Sequence, residues 1–379
     1  MDVSINCLEW NKISYNKQLK KKLKKMESYF PDINGKILPS PIVNYYRNKL
    51  RFDIGLSPDG RVTIGYAIPK RASKERYVYD SKDMLHLHPK MKNIIIWLED
   101  YLNKFEKSWY SIEHNKSILY SAVIRASFNT DDIMLILNVN CKNSDIIEEI
   151  KQYFSQIDFS DFDNINFLIK FVDTYFVLKG KDYIYEKLDN YIFKISPESF
   201  FQVNTYATEV LYGTIKQLVI KYFNKCDNNI LFDLCCGTGT IGTYVANIFT
   251  QVIGIDIKSS SINDAIFNQK INNIKNSHFI CAPIENILDN IIDDMINKYI
   301  NPNFFAIVDP PRTGMHGGVQ HVINNCKNLN YLIYVSCNVV TLKRDMEILS
   351  ECFSPVETIY VDLFPHTPHC EVIMVLSRK

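Results

Sequence analysis

Short apolar runs alternate with amphipathic segments along the second half of the chain. The apolar runs predict β-strands, and the amphipathic segments between them predict helices. The predicted strands span residues 230–234, 252–257, 278–281, 304–308, 332–335, 357–362 and 371–376. Because strands that alternate with helices usually form a parallel sheet covered on both faces, we predict an α/β fold with a mostly parallel, Rossmann-like sheet.

The first half of the chain contains helices and strands without this alternation. Apolar residues at helical spacing predict helices, and apolar runs predict strands. The predicted helices span residues 13–28, 88–107 and 143–155, and the predicted strands span 117–127 and 133–139. Ser57-Pro58-Asp59-Gly60 predicts the turn of a hairpin, and Ser196-Pro197 marks a break in the pattern. We therefore predict an α+β domain over residues 1–195 and an α/β domain over residues 196–379.

The composition is ordinary for a globular protein. The chain has 379 residues, of which 46% are hydrophobic and 22% charged, and its formal net charge is +1. A nucleic-acid ligand would therefore have to be bound by a local basic patch. No apolar run approaches the roughly 20 residues that span a bilayer. The amino terminus shows no basic segment followed by an apolar one, as a secretory signal would. We expect a monomer without membrane association in the cytoplasm or nucleus, and leave an organelle open.

The cysteines are scattered along the chain. There are ten of them, and none forms a Cys-x-x-Cys pair. This pattern favours free thiols in a reducing compartment over a disulfide framework or a zinc site. No metal site is predicted.

Two basic segments in the first half are candidates for nucleic-acid binding. The helix at 13–28 contains the lysine run Lys17, Lys20, Lys21, Lys22, Lys24 and Lys25. Such a run is typical either of a helix that faces phosphate or of a solvated helix face. In the hairpin, Arg47, Lys49 and Arg51 alternate along the chain and should project from one face. With Tyr46 and Phe52 between them, they resemble a surface that follows phosphates and stacks on bases; a solvated strand face is the alternative.

A glycine-rich loop follows the strand at 230–234. Gly237 and Gly239 allow a tight turn and close approach to a ligand, with the amides of the next helix pointing toward it. Asp256 ends the following strand, where a carboxylate can bind ribose hydroxyls. A dinucleotide would also fit such a loop, but Asp233 before the loop and the Gly-x-Gly pattern resemble the S-adenosylmethionine site of class I methyltransferases. The adjacent Cys235 and Cys236 are interpreted as small residues that line the loop.

Three further strand ends carry reactive side chains. Asp309-Pro310-Pro311-Arg312 follows the strand at 304–308, and the two prolines fix the backbone that carries Asp309 and Arg312. The strand at 332–335 leads into Cys337, and the strand at 371–376 opens with Glu371. A thiol and a carboxylate near a cofactor loop suggest covalent chemistry on the substrate that the cofactor modifies.

Four ordered motifs resemble a known family. They are Ser199-Phe200-Phe201-Gln202-Val203-Asn204, Asp309-Pro310-Pro311-Arg312-x-Gly314, Val335-Ser336-Cys337-Asn338 and Asp362-Leu363-Phe364-Pro365-His366-Thr367-x-His369-x-Glu371. Together they look like the RNA 5-methyluridine methyltransferase family. The resemblance implies a class I S-adenosylmethionine-dependent fold, S-adenosyl-L-methionine as the cofactor, and an amino-terminal domain that binds RNA.

The resemblance also implies roles for individual residues. Carbon 5 of uracil is a poor nucleophile, and a thiolate that adds to carbon 6 activates it. Cys337 is expected to supply that thiolate in surroundings that favour the anion, and Glu371 to remove the carbon 5 proton. The expected cofactor contacts are Gln202, Cys235, Gly237, Thr240, Asp256 and Asp309. The expected RNA contacts are Arg47, Lys49, Phe200, Gln202, Asp309 and Arg312, with domain packing as an alternative role for Phe200.

The departures from the family pattern bear on the substrate. Val339 follows Asn338 where relatives have proline, so we expect a less rigid loop there. The four-cysteine iron–sulfur pattern of some ribosomal-RNA relatives is absent, which favours tRNA as the substrate and its T-loop position 54 as the target. Ribosomal RNA and a tRNA-folding chaperone with secondary catalysis remain the alternatives. His366 and His369 are too few for a metal site and are expected to shape the loop before Glu371.

Overall fold

The division of the chain differs from the predicted single cut between residues 195 and 196. The computed structural model describes residues 9–69, 76–104, 109–111, 117–222 and 228–379. One compact unit is Asn44–Lys187, and the other combines Met1–Val43 with Leu188–Lys379. The segment before residue 44 therefore belongs with the second half, because its strand pairs with a strand near the other end of the chain.

Most predicted elements are present, with shifts of a few residues at their ends. The strands in the described residues are β1 Gly35–Leu38, β2 Lys49–Leu56, β3 Val62–Pro69, β4 Arg76–Asp80, β5 Leu119–Ala126, β6 Ile133–Val139, β7 Ile165–Phe171, β8 Thr174–Lys179, β9 Ile184–Leu188, β10 Tyr191–Ile195, β11 Asn229–Leu234, β12 Gln251–Asp256, β13 Ser277–Cys281, β14 Asn303–Val308, β15 Leu329–Ser336, β16 Phe353–Val361 and β17 Glu371–Arg378. The helices are α1 Tyr15–Glu27, α2 Pro89–Asn103, α3 Ser144–Ser155, α4 Thr205–Tyr222, α5 Thr240–Val245, α6 Ser259–Ile271, α7 Ile284–Lys298, α8 Gly317–Asn325 and α9 Val339–Leu349. The end of the predicted helix at 105–107 and the amino-terminal residues 1–8 lie outside the described residues.

The unit Asn44–Lys187 is a mixed sheet with helices packed on it. Its strand order is β4-β3-β2-β5-β6-β7-β8, and of these neighbours only β6 and β7 are parallel. Alternate residues of the strands, such as those at 133, 135, 137 and 139, share one core cluster with apolar residues of α2 and α3. The period of two places these side chains on one face of the sheet, which the two helices cover.

Two aromatic residues of the predicted hairpin are in the core, contrary to the base-stacking interpretation. The hairpin β2–β3 forms as predicted, and Arg47, Lys49 and Arg51 alternate with more deeply buried neighbours. Tyr46 is 0% exposed and Phe52 is 1% exposed, so neither ring can stack on a base in this structure. The cations remain on the strand surface, but the aromatic residues between them stabilise the fold.

The second unit contains the predicted Rossmann-like sheet. Its strand order is β1-β16-β17-β15-β14-β11-β12-β13, and β17 is antiparallel to both of its neighbours. One face packs against α7, α8 and α9 in a continuous core that also includes Met26 of α1. Helices α5 and α6 contact β11, β12 and β13 outside that core. The sheet is therefore mostly parallel, as predicted, and its carboxyl edge carries the loops of interest.

Gly254 in β12 occupies a position where the sheet and a ring approach closely. A Cβ at this position would lie 2.3 Å from the Phe279 ring. That ring is 5% exposed and packs with Cys236, Ile262 and Ala265. Because a buried ring has little room to move, only glycine fits there.

We expect Gly254→Ala to lower the free energy of unfolding by about 1–3 kcal/mol, since overpacking forces the ring to shift. Urea unfolding measures the effect. Gly317→Ala is the matched control, because no heavy atom lies within 4 Å of the added Cβ, and its effect should stay within about 0.5 kcal/mol. Equal losses in the two variants would contradict this account of the packing.

Candidate active site

The glycine-rich loop leaves an open space beside the backbone. Cys235, Gly237 and Gly239 all have positive φ angles, of 60°, 54° and 71°. A Cβ on Gly237 would have no heavy atom within 4 Å. Thr240 begins α5, and its hydroxyl lies 2.9 Å from the Tyr212 hydroxyl. The loop therefore forms a cradle that a ligand can fill closely, as expected for a nucleoside-containing cofactor.

Asp256 ties this loop to the next strand end. Its carboxylate accepts hydrogen bonds from the backbone N–H of Gly237, at 3.0 Å, and of Lys258, at 2.8 Å. Ile257, the next residue, is 73% exposed although it is apolar. A half-buried carboxylate beside an exposed apolar side chain suits a ribose and an adenine ring, respectively.

A cleft of about 880 Å³ lies at the ends of β11 and β12. Cys235, Asp256 and Ile257 form one wall, and Pro283, Pro310 and Pro311 also contact the cleft. Asp256 and Cys235 were predicted from the sequence, whereas Ile257 and Pro283 were not. No local pattern marks Ile257, because the exposure of this apolar side chain is visible only in the fold.

Strand pairing brings the other predicted residues to the same edge. Val308 pairs with Tyr334, so Asp309 and Cys337 follow neighbouring parallel strands. Ser336 pairs with Val372, which places Cys337 beside Glu371 at the start of the antiparallel β17. The Gln202 amide lies 3.4 Å from Asp309 and donates to its carboxylate. The thiol, the two carboxylates and the amide predicted from the motifs therefore meet at one place.

This cluster is acidic and largely buried. Burial, followed by the nearby Glu371 and Asp309, raises the pKa of the Cys337 thiol to about 12, although Arg312 opposes the shift. Burial and the charge of Asp309 raise the pKa of Glu371 well above its usual range. Burial also raises the pKa of Asp309 to about 7, against the hydrogen bond from Gln202. The residues around Cys337 therefore disfavour its thiolate, contrary to the expectation.

The loops after β14 and β15 are connected by several hydrogen bonds. The Asn338 side chain accepts from Val340 N–H, which caps α9, and donates to the Arg312 carbonyl at 3.0 Å. Thr341 donates to the same carbonyl, and the buried Asp345 accepts from Met315 N–H at 2.7 Å. The chain enters α9 directly at Val339, which is 6% exposed. The helix cap and these bonds connect the loop to its neighbours in place of the proline of relatives.

The remaining predicted contacts do not all lie in this cluster. Phe200 is 63% exposed, whereas the neighbouring Phe201 is buried with its ring 6.1 Å from that of Phe193. Arg47 and Lys49 belong to the unit Asn44–Lys187, are half-buried and flank Asn48 in the entry to β2. Among the lysines of α1, Lys22 is fully buried and paired with Asp362, so it can face neither phosphate nor solvent.

The sheet order, the glycine loop and the cleft define a class I S-adenosylmethionine-dependent methyltransferase. The fold matches the Pyrococcus abyssi tRNA (uracil-54, C5)-methyltransferase structure, solved with S-adenosyl-L-homocysteine, with a TM-score of 0.75 at 24% identity. That match covers 98% of this chain and 86% of the archaeal one. The predicted fold class is confirmed.

The chain belongs to the tRNA (uracil-5-)-methyltransferase family, whose sequence model matches residues 14–379. It is 54% identical to the R405 protein of Acanthamoeba polyphaga mimivirus, which is named as an RNA methyltransferase, over 100% of this chain and 97% of that protein. It is 27% identical to the Homo sapiens tRNA (uracil-5-)-methyltransferase homolog B, over 97% of this chain and 82% of the human one. The protein is thus an RNA methyltransferase that acts on carbon 5 of uracil with S-adenosyl-L-methionine, as the resemblance implied.

In residues 9–69, 76–104, 109–111, 117–222 and 228–379, no helix has the length and apolar character needed to cross a bilayer.

The raised pKa values predict a pH dependence of stability. Burial raises the pKa of Asp309 and Asp233 to about 7 from 3.8, so the folded state holds these protons more tightly than the unfolded chain does. The stability that they contribute is complete below about pH 4 and is lost as the pH rises toward about 7. Asp309→Asn should remove the part of this pH-dependent loss of stability that Asp309 causes. Urea unfolding of the protein at several pH values measures the effect. The exposed Asp161→Asn is the control, and an unchanged pH profile in Asp309→Asn would contradict the prediction.

Proposed function

We propose that the protein methylates a uridine of tRNA, at position 54 of the T-loop, through a covalent adduct between Cys337 and the uracil ring. The observation that carries this proposal is the pairing of Ser336 with Val372, which sets the thiol beside Glu371. The family description and the human relative's name favour tRNA over ribosomal RNA.

The first step of the proposed reaction is the addition of the Cys337 sulfur to carbon 6 of uracil. The proton of the Cys337 thiol passes to a neighbouring ionised carboxylate other than Glu371 as the sulfur attacks, because the thiolate is the nucleophile. Addition places electron density on carbon 5. When bound, S-adenosyl-L-methionine supplies the electrophilic methyl group that carbon 5 takes up.

The second step returns the free enzyme. Glu371 takes the proton from carbon 5, the electron pair of that C–H bond forms the carbon 5–carbon 6 double bond, and the bond from carbon 6 to sulfur breaks. The electron pair of that bond returns to Cys337, which recovers its proton from the carboxylate that accepted it, and Glu371 releases the carbon 5 proton to solvent. Glu371 is assigned this role because the strand register sets it beside Cys337, at the end of β17 that faces the site.

The remaining residues are assigned to binding. For the cofactor we assign Gln202, Cys235, Gly237, Thr240, Asp256 and Asp309. For the RNA we assign Arg47, Lys49, Phe200, Gln202, Asp309 and Arg312. The exposed ring of Phe200 is suited to stack on a base, which an aromatic side chain does without sequence preference. The lysines of α1 that remain exposed, Lys17, Lys20, Lys21, Lys24 and Lys25, are suited to phosphates.

The catalytic assignment is tested with a tRNA transcript, S-adenosyl-L-methionine and nucleoside mass spectrometry. Cys337→Ala should form no 5-methyluridine, because no other group replaces the thiol. Glu371→Gln should lower turnover by about 10²–10⁴-fold and accumulate a covalent protein–RNA adduct on a denaturing gel. The half-exposed Cys141→Ala, in the other unit, is the control for thiol loss and should retain wild-type turnover.

The same assay separates the competing functions. Product formation by Cys337→Ala would contradict the covalent mechanism. Product on ribosomal RNA fragments but on no tRNA would contradict the choice of substrate and leave the chemistry unchanged. Refolding of misfolded tRNA by Cys337→Ala at the wild-type rate would add a chaperone activity that does not require methylation.

The RNA-binding assignment is tested by reversing charge at Arg47 and Lys49. The Arg47→Glu/Lys49→Glu variant should bind tRNA at least about tenfold more weakly, with a reduced salt dependence, because phosphate contacts and counterion release are lost. Cofactor affinity should not change. Lys142→Glu, an exposed cation in the same unit, is the matched control. If the two changes weaken tRNA binding equally, general charge determines the affinity. Arg47 and Lys49 would then make no specific contact with the RNA.

A further inference from the structure

The segment 362–370 connects β16 to β17 and delivers Glu371 to the site. We call it the Glu371 loop. Val361 and Glu371 are paired in the sheet, so the loop begins and ends at neighbouring positions of the sheet. Most of its residues are buried, including Leu363 at 0% exposed and Cys370 at 2%. A buried loop with closed ends can set the position of the residue that follows it, provided that something holds its middle.

The middle of the Glu371 loop is held by helix α1. The Lys22 ammonium lies 2.6 Å from Asp362 Oδ1 and donates to the Phe364 carbonyl at 2.9 Å. Both charged side chains are 0% exposed. The same Asp362 oxygen accepts the Phe364 N–H at 3.1 Å. Lys22 therefore connects the first and third residues of the loop to the helix.

One turn earlier on α1, Gln18 holds a second point of the loop. Its side-chain carbonyl accepts the His366 N–H at 2.9 Å, and its amide nitrogen lies 3.1 Å from His366 Nδ1. His366 has a φ of 63°, in the left-handed region that side chains other than glycine rarely adopt. The two contacts stabilise this backbone conformation, and Gln18 is itself fixed by the carbonyls of Trp10 and Ile13.

The surroundings supply further polar contacts from elsewhere in the same unit. The Asn204 amide donates to the Leu363 carbonyl and to the Ser40 hydroxyl, each at 3.1 Å. Ser40 N–H donates to the Tyr15 hydroxyl at 2.7 Å. Burial, and then the charge of Asp362, raises the pKa of Tyr15. The Glu371 loop is therefore surrounded by polar groups from three places in the chain. They come from α1, from the segment after β1 and from the start of α4.

We propose that Lys22 and Gln18 are positioning residues for Glu371, and that they act by fixing the loop that precedes it. This inference rests on the proposed role of Glu371 as the base. A buried ion pair contributes little net stability compared with apolar residues of similar size. The geometry of the Lys22–Asp362 ion pair, however, allows one loop conformation, whereas an apolar contact would allow several. The expected consequence is therefore a defect in one chemical step, which is removal of the carbon 5 proton.

The test compares Lys22→Met, Gln18→Met and two matched controls in the tRNA assay. In Lys22→Met we expect kcat to fall about 100-fold, as a misplacement of roughly 1 Å can cause, while KM for tRNA stays within about twofold of wild type. The covalent protein–RNA adduct should accumulate, because methyl transfer precedes the impaired step. Gln18→Met should show the same pattern with a smaller fall in kcat.

The controls separate positioning from charge and from stability. Lys12→Met removes the same charge from an exposed lysine of the same amino-terminal segment that is not assigned to RNA, so it should not accumulate the adduct. Met26→Ala loosens α1 against the core, since Met26 is 2% exposed, and should lower the melting temperature without adduct accumulation. All assays are run well below the unfolding midpoint of each variant.

Each result decides the inference. Adduct accumulation in Glu371→Gln but in neither α1 variant would overturn the positioning role and leave the proposed function intact. Absence of the adduct in Glu371→Gln itself would overturn the proposed function. If Lys22→Met does not fold, Gln18→Met carries the test, because it leaves the ion pair in place. A kcat in Gln18→Met equal to that of wild type would then overturn the inference.

Discussion

The antiparallel insertion of β17 between β15 and β16 determines the geometry of the site. In a parallel sheet, only the carboxyl ends of strands reach the edge where ligands bind. Because β17 runs the other way, its first residue lies at that edge, and Ser336 pairs with Val372. Glu371, which opens β17, is thus set beside Cys337, which directly follows β15. The separation of Cys337 and Glu371 depends on this pairing and on the loop that precedes β17.

The electrostatics of the cluster follow from burying several acids together. Glu371 is 2% exposed, and its pKa and those of Asp309 and Cys337 are all raised, with burial as the largest cause. Burial and the neighbouring negative charges disfavour the ionised form of each of these groups. A cation brought into the cluster would favour the ionised forms of all three groups.

The sequence predicted the sheet because each buried strand is a short apolar run with a distinct end. It predicted the residues of the cluster because each follows or opens such a run, as Asp309 and Glu371 do. It could not predict the membership of residues 1–43 in this unit, since the strand pairing of Gly35 with Thr358 leaves no local pattern. Tyr46 and Phe52 alternate with cations as a binding surface would, and only the packing of the sheet shows that their face is the buried one.

Helix α1 shows why a run of like charges is a poor guide to environment. Lys21 and Lys22 are adjacent in sequence, but consecutive positions on a helix point about 100° apart, so one is exposed and the other buried. The buried lysine requires a partner because an unpaired charge in the interior costs several kcal/mol. Asp362, near the other end of the chain, supplies it. This buried pair therefore joins the amino-terminal segment to the loop that precedes the proposed base, Glu371, although the two lie about 340 residues apart in sequence.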